Sequence, residues 1–137
     1  MQLAPYLMFD GQCQEAFRFY EKCFRGKMEF MTNGQSPMAK DVPPDQQDRV
    51  LHARLTFGEN VLMASDAPPE RYLKPQGFSV SLQLKDIKEG ERIFQELAED
   101  GSVLMPFQET FWAPRFGMVT DRFGIPWMIN CEHPAHP

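Results

Sequence analysis

Residues Gly101 to Cys131 read GSVLMPFQETFWAPRFGMVTDRFGIPWMINC. Phe107, Phe111, Trp112, Phe116, Phe123 and Trp127 crowd this span, and Pro106, Pro114, Gly117, Gly124 and Pro126 punctuate it. Aromatic side chains suit a pleated, half-buried surface, whereas proline and glycine interrupt a helix, so the span divides into three short strands joined by tight turns. Asp121-Arg122-Phe123-Gly124 reads as one of those turns, with Gly124 free to adopt a positive φ. Pro126 to Cys131 is then a closing strand.

Immediately upstream, Val80, Leu82 and Leu84 alternate with Ser79, Ser81 and Gln83, which predicts a strand from Phe78. A helix follows from Asp86, which sits at capping-box spacing from Glu89. Its apolar stripe is Ile87, Ile93, Phe94, Leu97 and Ala98, and Gly101 is expected to end it.

The same order occupies the first half. Leu3 to Phe9 predicts a strand, Asp10 a helix cap, and Cys13, Ala16, Phe17, Tyr20, Cys23 and Phe24 a helical apolar face, with Gly26 as terminator. Lys27 to Thr32 predicts a second strand. Gly34 to Arg49 has the proline-rich, polar composition of a mobile surface loop. Val50 to Phe57 and Val61 to Ser65 form a strand pair about the turn Gly58-Glu59-Asn60. In the longer strand Leu51, Ala53, Leu55 and Phe57 face the helix, while His52, Arg54 and Thr56 face the other way.

The chain is therefore an internal repeat of a βαβββ unit, an α+β arrangement. Module one covers about residues 1–66, a proline-bearing connector 67–77, module two about 78–132 and a tail 133–137, the whole read as a single domain of 137 residues. One unit leaves a sheet face uncovered by its helix, so two units are expected to pair, within the chain or across a dimer.

Composition narrows the function. A chain of 137 residues buries roughly two-thirds of its unfolded surface, enough for a core without disulfides. Cys13, Cys23 and Cys131 are odd in number and lack metal-type spacing, which fits reduced thiols in a cytoplasmic protein. A net charge of −5 without a basic run argues against nucleic acid. MQLAPYLMFDG lacks the basic start and unbroken apolar core of a signal peptide, and no stretch has bilayer-spanning length, so no membrane partner is expected.

Three motifs carry a resemblance: PYLMFDGQCQEAFRFY at residues 5–20, LMASD at 62–66 and QETFWAPRFGMVTDRFGIPWMIN at 108–130. On these the chain resembles the vicinal oxygen chelate superfamily (glyoxalase I, extradiol dioxygenases, bleomycin-resistance proteins), and within it the PhnB-like group. The resemblance implies two βαβββ modules forming a cupped mixed sheet, with helices on its outer face and a ligand cavity on its inner one. Metal-using members place four His, Glu or Gln ligands in the first and last strands of each module. Aligned on those positions, this chain offers Pro5, Met63, Ser79 and Met128, a set unsuited to zinc, nickel or non-haem iron. Neither a metal nor another cofactor is expected. Members of the group are sometimes labelled demethylubiquinone methyltransferases, yet no glycine-rich loop here joins a strand to a helix as a Rossmann-type methyl-donor site requires.

Candidate residues follow from strand phase. His52 and Arg54 share the cleft face, where imidazole can serve as acid, base or anion contact, or simply as a hydrogen-bonded structural histidine. Glu109 and Asp121 flank the aromatic stretch as possible carboxylates, with Asp121 read as a turn residue and Asp66 as a cap or turn. Ser79, Ser81, Gln83 and Asn130 are polar residues facing water or the cavity, with Met63, Met118 and Met128 as an apolar floor. Phe111, Trp112 and Phe116 form a wall for a flat ligand or an ordinary core or dimer contact. His133 and His136 lie in the proline-rich end. The reading is a metal-independent small-molecule-binding protein, homodimeric, whose partner is a small organic ligand held by His52, Arg54, Met63, Ser79, Ser81, Gln83, Trp112, Met128 and Asn130. Its rival is a metal-dependent lyase or dioxygenase-type enzyme with displaced ligands, drawing on His52 and Glu109 as catalytic candidates.

Overall fold

Leu7 and Phe9 are buried while Tyr6 and Met8 beside them are exposed, the two-residue period of a strand with one covered face. That strand, β1 (Tyr6–Phe9), opens a computed structural model that describes residues 1–133. The chain divides into two compact units, Met1–Leu73 and Lys74–Pro137. The first contains β1, α1 (Cys13–Phe24), β2 (Lys27–Thr32), β3 (Val50–Phe57) and β4 (Asn60–Asp66). The second contains β5 (Val80–Leu84), α2 (Ile87–Ala98), β6 (Ser102–Gln108), β7 (Arg115–Thr120) and β8 (Pro126–Cys131).

Each unit folds its strands into a 4-stranded mixed sheet, in the order β1-β4-β3-β2 and β5-β8-β7-β6. In both, the first strand pairs in parallel with the last, and the remaining pairs are antiparallel. The βαβββ repeat and the α+β class read from the sequence are thus the architecture of the protein.

In module one, α1 turns Cys13, Ala16, Phe17, Tyr20 and Cys23 inward, against a sheet face of Leu7, Phe9, Ala53, Leu55, Leu62 and Ala64. Phe17 meets Phe9 edge-on at 6.4 Å, and Phe24 stacks on Phe57 at 4.9 Å. In module two, α2 buries Gly90, Ile93, Phe94 and Leu97, over Val119, Trp127, Ile129 and Cys131. Phe94 stacks on Phe107 at 5.5 Å.

Several element ends differ from expectation for local reasons. Asp10 does not cap α1. Gln12 holds the N-cap position without a side-chain bond, and Asp10 instead pairs with Arg49 at 2.9 Å. α1 ends on left-handed Arg25 (φ 55), and α2 ends on extended Glu99 with left-handed Asp100 (φ 58) after it, so neither helix ends on the glycine that follows. Gly26 and Gly101 answer a different need, because a Cβ there would lie 2.6 Å from the Thr56 carbonyl oxygen and 2.4 Å from that of Thr120. β1 starts at Tyr6 and β5 at Val80, so Pro5 and Ser79 precede their strands. The segment read as a mobile loop contains three short 3-10 turns, Asn33–Gln35, Ala39–Asp41 and Pro44–Gln46. Gln47 Nε2 donates to the carbonyls of Ala39 and Val42 at 2.9 and 2.8 Å and ties them together.

Candidate functional site

Residues directly opposite one another on neighbouring strands share a sheet face, so register defines the face each helix leaves uncovered. In module one, one row across that open face is Tyr6, Met63, Arg54 and Glu29. Beside it, Met8 pairs with Ser65, and His52 with Met31. His52, Arg54 and Glu29 are exposed. The Tyr6 hydroxyl lies 3.4 Å from His52 Nδ1, and Ser65 Oγ donates to the Met8 sulfur at 3.6 Å. His52, Arg54 and Met63 therefore share this face. Tyr6 joins them, and its alternation, with that of Met8, against Leu7 and Phe9 is the local signal that marks it.

Module two builds its open face from two rows. Ser81 pairs with Met128, which faces Met118, and Met118 faces Met105. Gln83 pairs with Asn130, which faces Phe116, and Phe116 faces Gln108. Along the second row Asn130 Nδ2 donates to Gln83 Oε1 at 2.7 Å, and Gln83 Nε2 donates to Ser81 Oγ at 2.7 Å. Asn130 Oδ1 is shut off from solvent and accepts no hydrogen bond.

The Trp112 ring packs edge-on to Phe116 at 5.3 Å, and Phe111 packs edge-on to Trp112 at 4.7 Å. Trp112 is held in a turn in which Thr110 N donates to the Ala113 carbonyl at 3.0 Å and Ala113 N to Thr110 Oγ1 at 3.1 Å. Glu109 sits exposed at the entry to that turn, and Ser79 lies half-buried just before β5. Ser81, Gln83, Trp112, Met128 and Asn130 thus gather in module two, while the catalytic candidates His52 and Glu109 fall in different modules. His133 is exposed beyond β8, and His136 lies outside the described residues.

The acidic candidates have structural work. Asp66 Oδ1 accepts from the backbone N–H of Gly11 and Cys13 at 2.8 and 3.0 Å, and its Oδ2 from Val50 N at 2.8 Å. It caps α1 from the neighbouring strand, the service expected of Asp10. Asp121, 3% exposed, holds the turn before β8. Asp86 caps α2 through Lys88 N and Glu89 N as its spacing predicts. All three cysteines are buried. Burial first, then the Asp66 carboxylate, pushes the Cys13 thiol far above its ordinary range. Cys131 is raised by burial and secondarily by Asp86, with Arg115 opposing. Neither of these two offers a thiolate nucleophile near neutrality.

Register shows which residues flank the two methionines. Met63 stands beside Tyr6, not Pro5, and Met128 beside Ser81, not Ser79. Neither the aligned set nor the paired set of a phenol, a hydroxyl and two thioethers suits a catalytic divalent metal, which takes imidazole, carboxylate or thiolate. Among the described residues no group of three or more His, Cys, Asp or Glu converges on a point. The residues do not fit the metal.

The family model described as 3-demethylubiquinone-9 3-methyltransferase matches residues 1–130. The chain belongs to that family. It is 37% identical to Protein YjdN of Escherichia coli (strain K12), over 95% of each chain. Protein PA1353 from Pseudomonas aeruginosa is 48% identical and superposes with a TM-score of 0.89, over 98% of this chain and 99% of the other. The Bacillus cereus structure described as a putative 3-demethylubiquinone-9 3-methyltransferase, PhnB protein, has a TM-score of 0.77 at 24% identity, over 96% of this chain and 99% of the other. The family shares its fold with the glyoxalase/bleomycin resistance protein/dioxygenase group. One such enzyme from Burkholderia phytofirmans PsJN gives a TM-score of 0.62 at 11% identity, over 95% and 97%. The family's description names a methyl transfer. The mixed sheets here are not the doubly wound parallel sheet on which a Rossmann-type methyl donor sits. Among the described residues no helix is long and apolar enough to cross a membrane.

Proposed function

We propose that this PhnB-like chain binds a small organic ligand on the open sheet faces of its modules and does so without a transition metal. The observation that carries this reading is the side-chain set at the paired positions, Tyr6 with Met63 and Ser81 with Met128. These groups hold a ligand by packing and hydrogen bonding, and thioether lets the floor adapt to shape. In module one Arg54 and His52 stand beside the first pair; in module two Gln83, Asn130 and Trp112 stand near the second, with Ser79 at the margin. A thermal-shift screen against thiol conjugates, catechols and glycopeptide drugs is the test, since a ligand at 100 times its Kd raises stability by about 2.7 kcal/mol. Elemental analysis of protein prepared without chelator accompanies it. About one equivalent of zinc, nickel, manganese or iron, lost in His52→Ala, overturns the metal-independent reading.

The proposal extends to a cytoplasmic homodimer. Phe111 is 95% exposed, and the outer strand β6 leaves Val103 and Leu104 at 49% and 59%, apolar surface and an unpaired edge that self-association covers. Sedimentation showing a monomer at every micromolar concentration would refute it. A rival enzymatic reading draws support from the Tyr6–His52 contact. A hydroxyl on Nδ1 orients the ring and leaves Nε2 for proton transfer. Turnover of a screened ligand, abolished in His52→Ala, would favour that reading.

A further inference from the structure

Asn130 Oδ1 is a strong acceptor with no donor, sealed from water although the same amide's nitrogen is paired with Gln83 and Gln83 with Ser81. Such an atom costs stability as long as it stays unmatched. We propose that it is the recognition point for an N–H or O–H donor on a planar, aromatic ligand, an inference that rests on the ligand-binding reading above.

The surroundings support that class. The amide is held by its own hydrogen bond to Gln83 Oε1, and Gln83 is held in turn by Ser81, so the acceptor is pre-aimed and not a swinging side chain. The residue facing Asn130 across the strands is Phe116, and Trp112 leans edge-on against Phe116 at 5.3 Å. A flat ring inserted there gains aromatic contact on entry. Trp112 is the movable wall, because its turn is tied by Thr110 and Ala113 rather than by the sheet ladder. In the bound state its ring leaves the Phe116 edge and packs on the ligand. Met118 and Met128, in the adjacent row, give an apolar floor. This face carries no charged side chain in either row, so the ligand group it reads is a neutral donor.

Indole and 1-methylindole are the matched probes, equal in ring system and differing in one N–H. Isothermal titration calorimetry of the full chain is expected to show indole binding at least about tenfold more tightly, the loss that follows when a buried acceptor is left unmatched. Asn130→Leu is expected to abolish the preference by improving 1-methylindole relative to indole. Reversing both amides would leave Asn130 Nδ2 unpaired instead, and that arrangement gives no preference for the N–H compound. Equal binding of the two probes, failure of indole to bind at millimolar concentration, or a preference that survives in Asn130→Leu overturns the proposal. The broader binding reading is separately at stake, and fails only if the thermal-shift screen finds no ligand at all.

Discussion

Asp121 accepts a hydrogen bond from the indole nitrogen of Trp127 at 2.8 Å, across the turn that joins β7 to β8. Its other carboxylate oxygen accepts from Phe123 N and Ile125 N at 2.9 and 3.0 Å, and Gly124 takes the positive φ of 90 that the turn demands. One buried side chain thus fixes the turn and the register that sets Trp127 against Val119. Asp121→Ala is expected to destabilise the protein by about 2–4 kcal/mol, since it leaves buried donors unmatched. Asp121→Asn should lose less, because one oxygen remains. Urea denaturation curves of the variants measure both.

Asp66 does for module one what a local cap does for module two. Its carboxylate binds the start of α1 at Gly11 and Cys13 and the start of β3 at Val50. Asp66→Ala should cost about 2–3 kcal/mol, more than a lone helix cap, because three backbone donors lose an ionised acceptor. Asp10→Ala, which removes only a half-exposed ion pair to Arg49, should stay within about 1 kcal/mol of the parent. Equal losses in the two variants would show that Asp10 shares the capping role.

This contrast marks how far the sequence was legible. Strand phase came through: the expected limits of Val50–Phe57 are those of β3, and the aromatic stretch does contain three strands. Alternation and turn residues are local, so they can be read locally. Asp66 acts on Cys13 from 53 residues away, and no nearby pattern announces that. Gln47 organises the 3-10 turns through backbone carbonyls, which composition does not encode. The candidate site suffered likewise. A parallel pair joined by a long crossover has no turn to pin its register, so nothing local announces that Tyr6 stands beside Met63 and Ser81 beside Met128.

The buried thiols make a pH prediction. A raised thiol pKa in the folded state means that the unfolded chain deprotonates first as pH rises. The stabilisation is complete below the unfolded thiol value of about 8.5 and is lost progressively above it. Cys13→Ala and Cys131→Ala should flatten the decline in stability between neutral and strongly alkaline pH. In native protein near neutrality, a thiol reagent such as DTNB should react slowly at both positions, and promptly once urea unfolds the chain. Fast labelling of Cys13 in the native state would contradict its burial.

The last prediction tests the phase of β3, on which the site in module one depends. Arg54 and Leu55 are sequence neighbours with opposite fates: Arg54 is exposed on the open face beside Met63, and Leu55 is 0% exposed beneath α1. Arg54→Ala and His52→Ala should change stability by no more than about 0.5 kcal/mol, because neither side chain packs in the core. Leu55→Ala should cost about 2–5 kcal/mol through lost transfer energy and the cavity left behind. Binding should divide the other way. A ligand found in the screen to occupy module one loses affinity in the Arg54 and His52 variants, and Tyr6→Phe weakens it less, since only the hydroxyl that orients His52 is removed. If the Arg54 and His52 variants instead unfold at low urea while Leu55→Ala is neutral, the strand faces the opposite way and the open-face site is wrong.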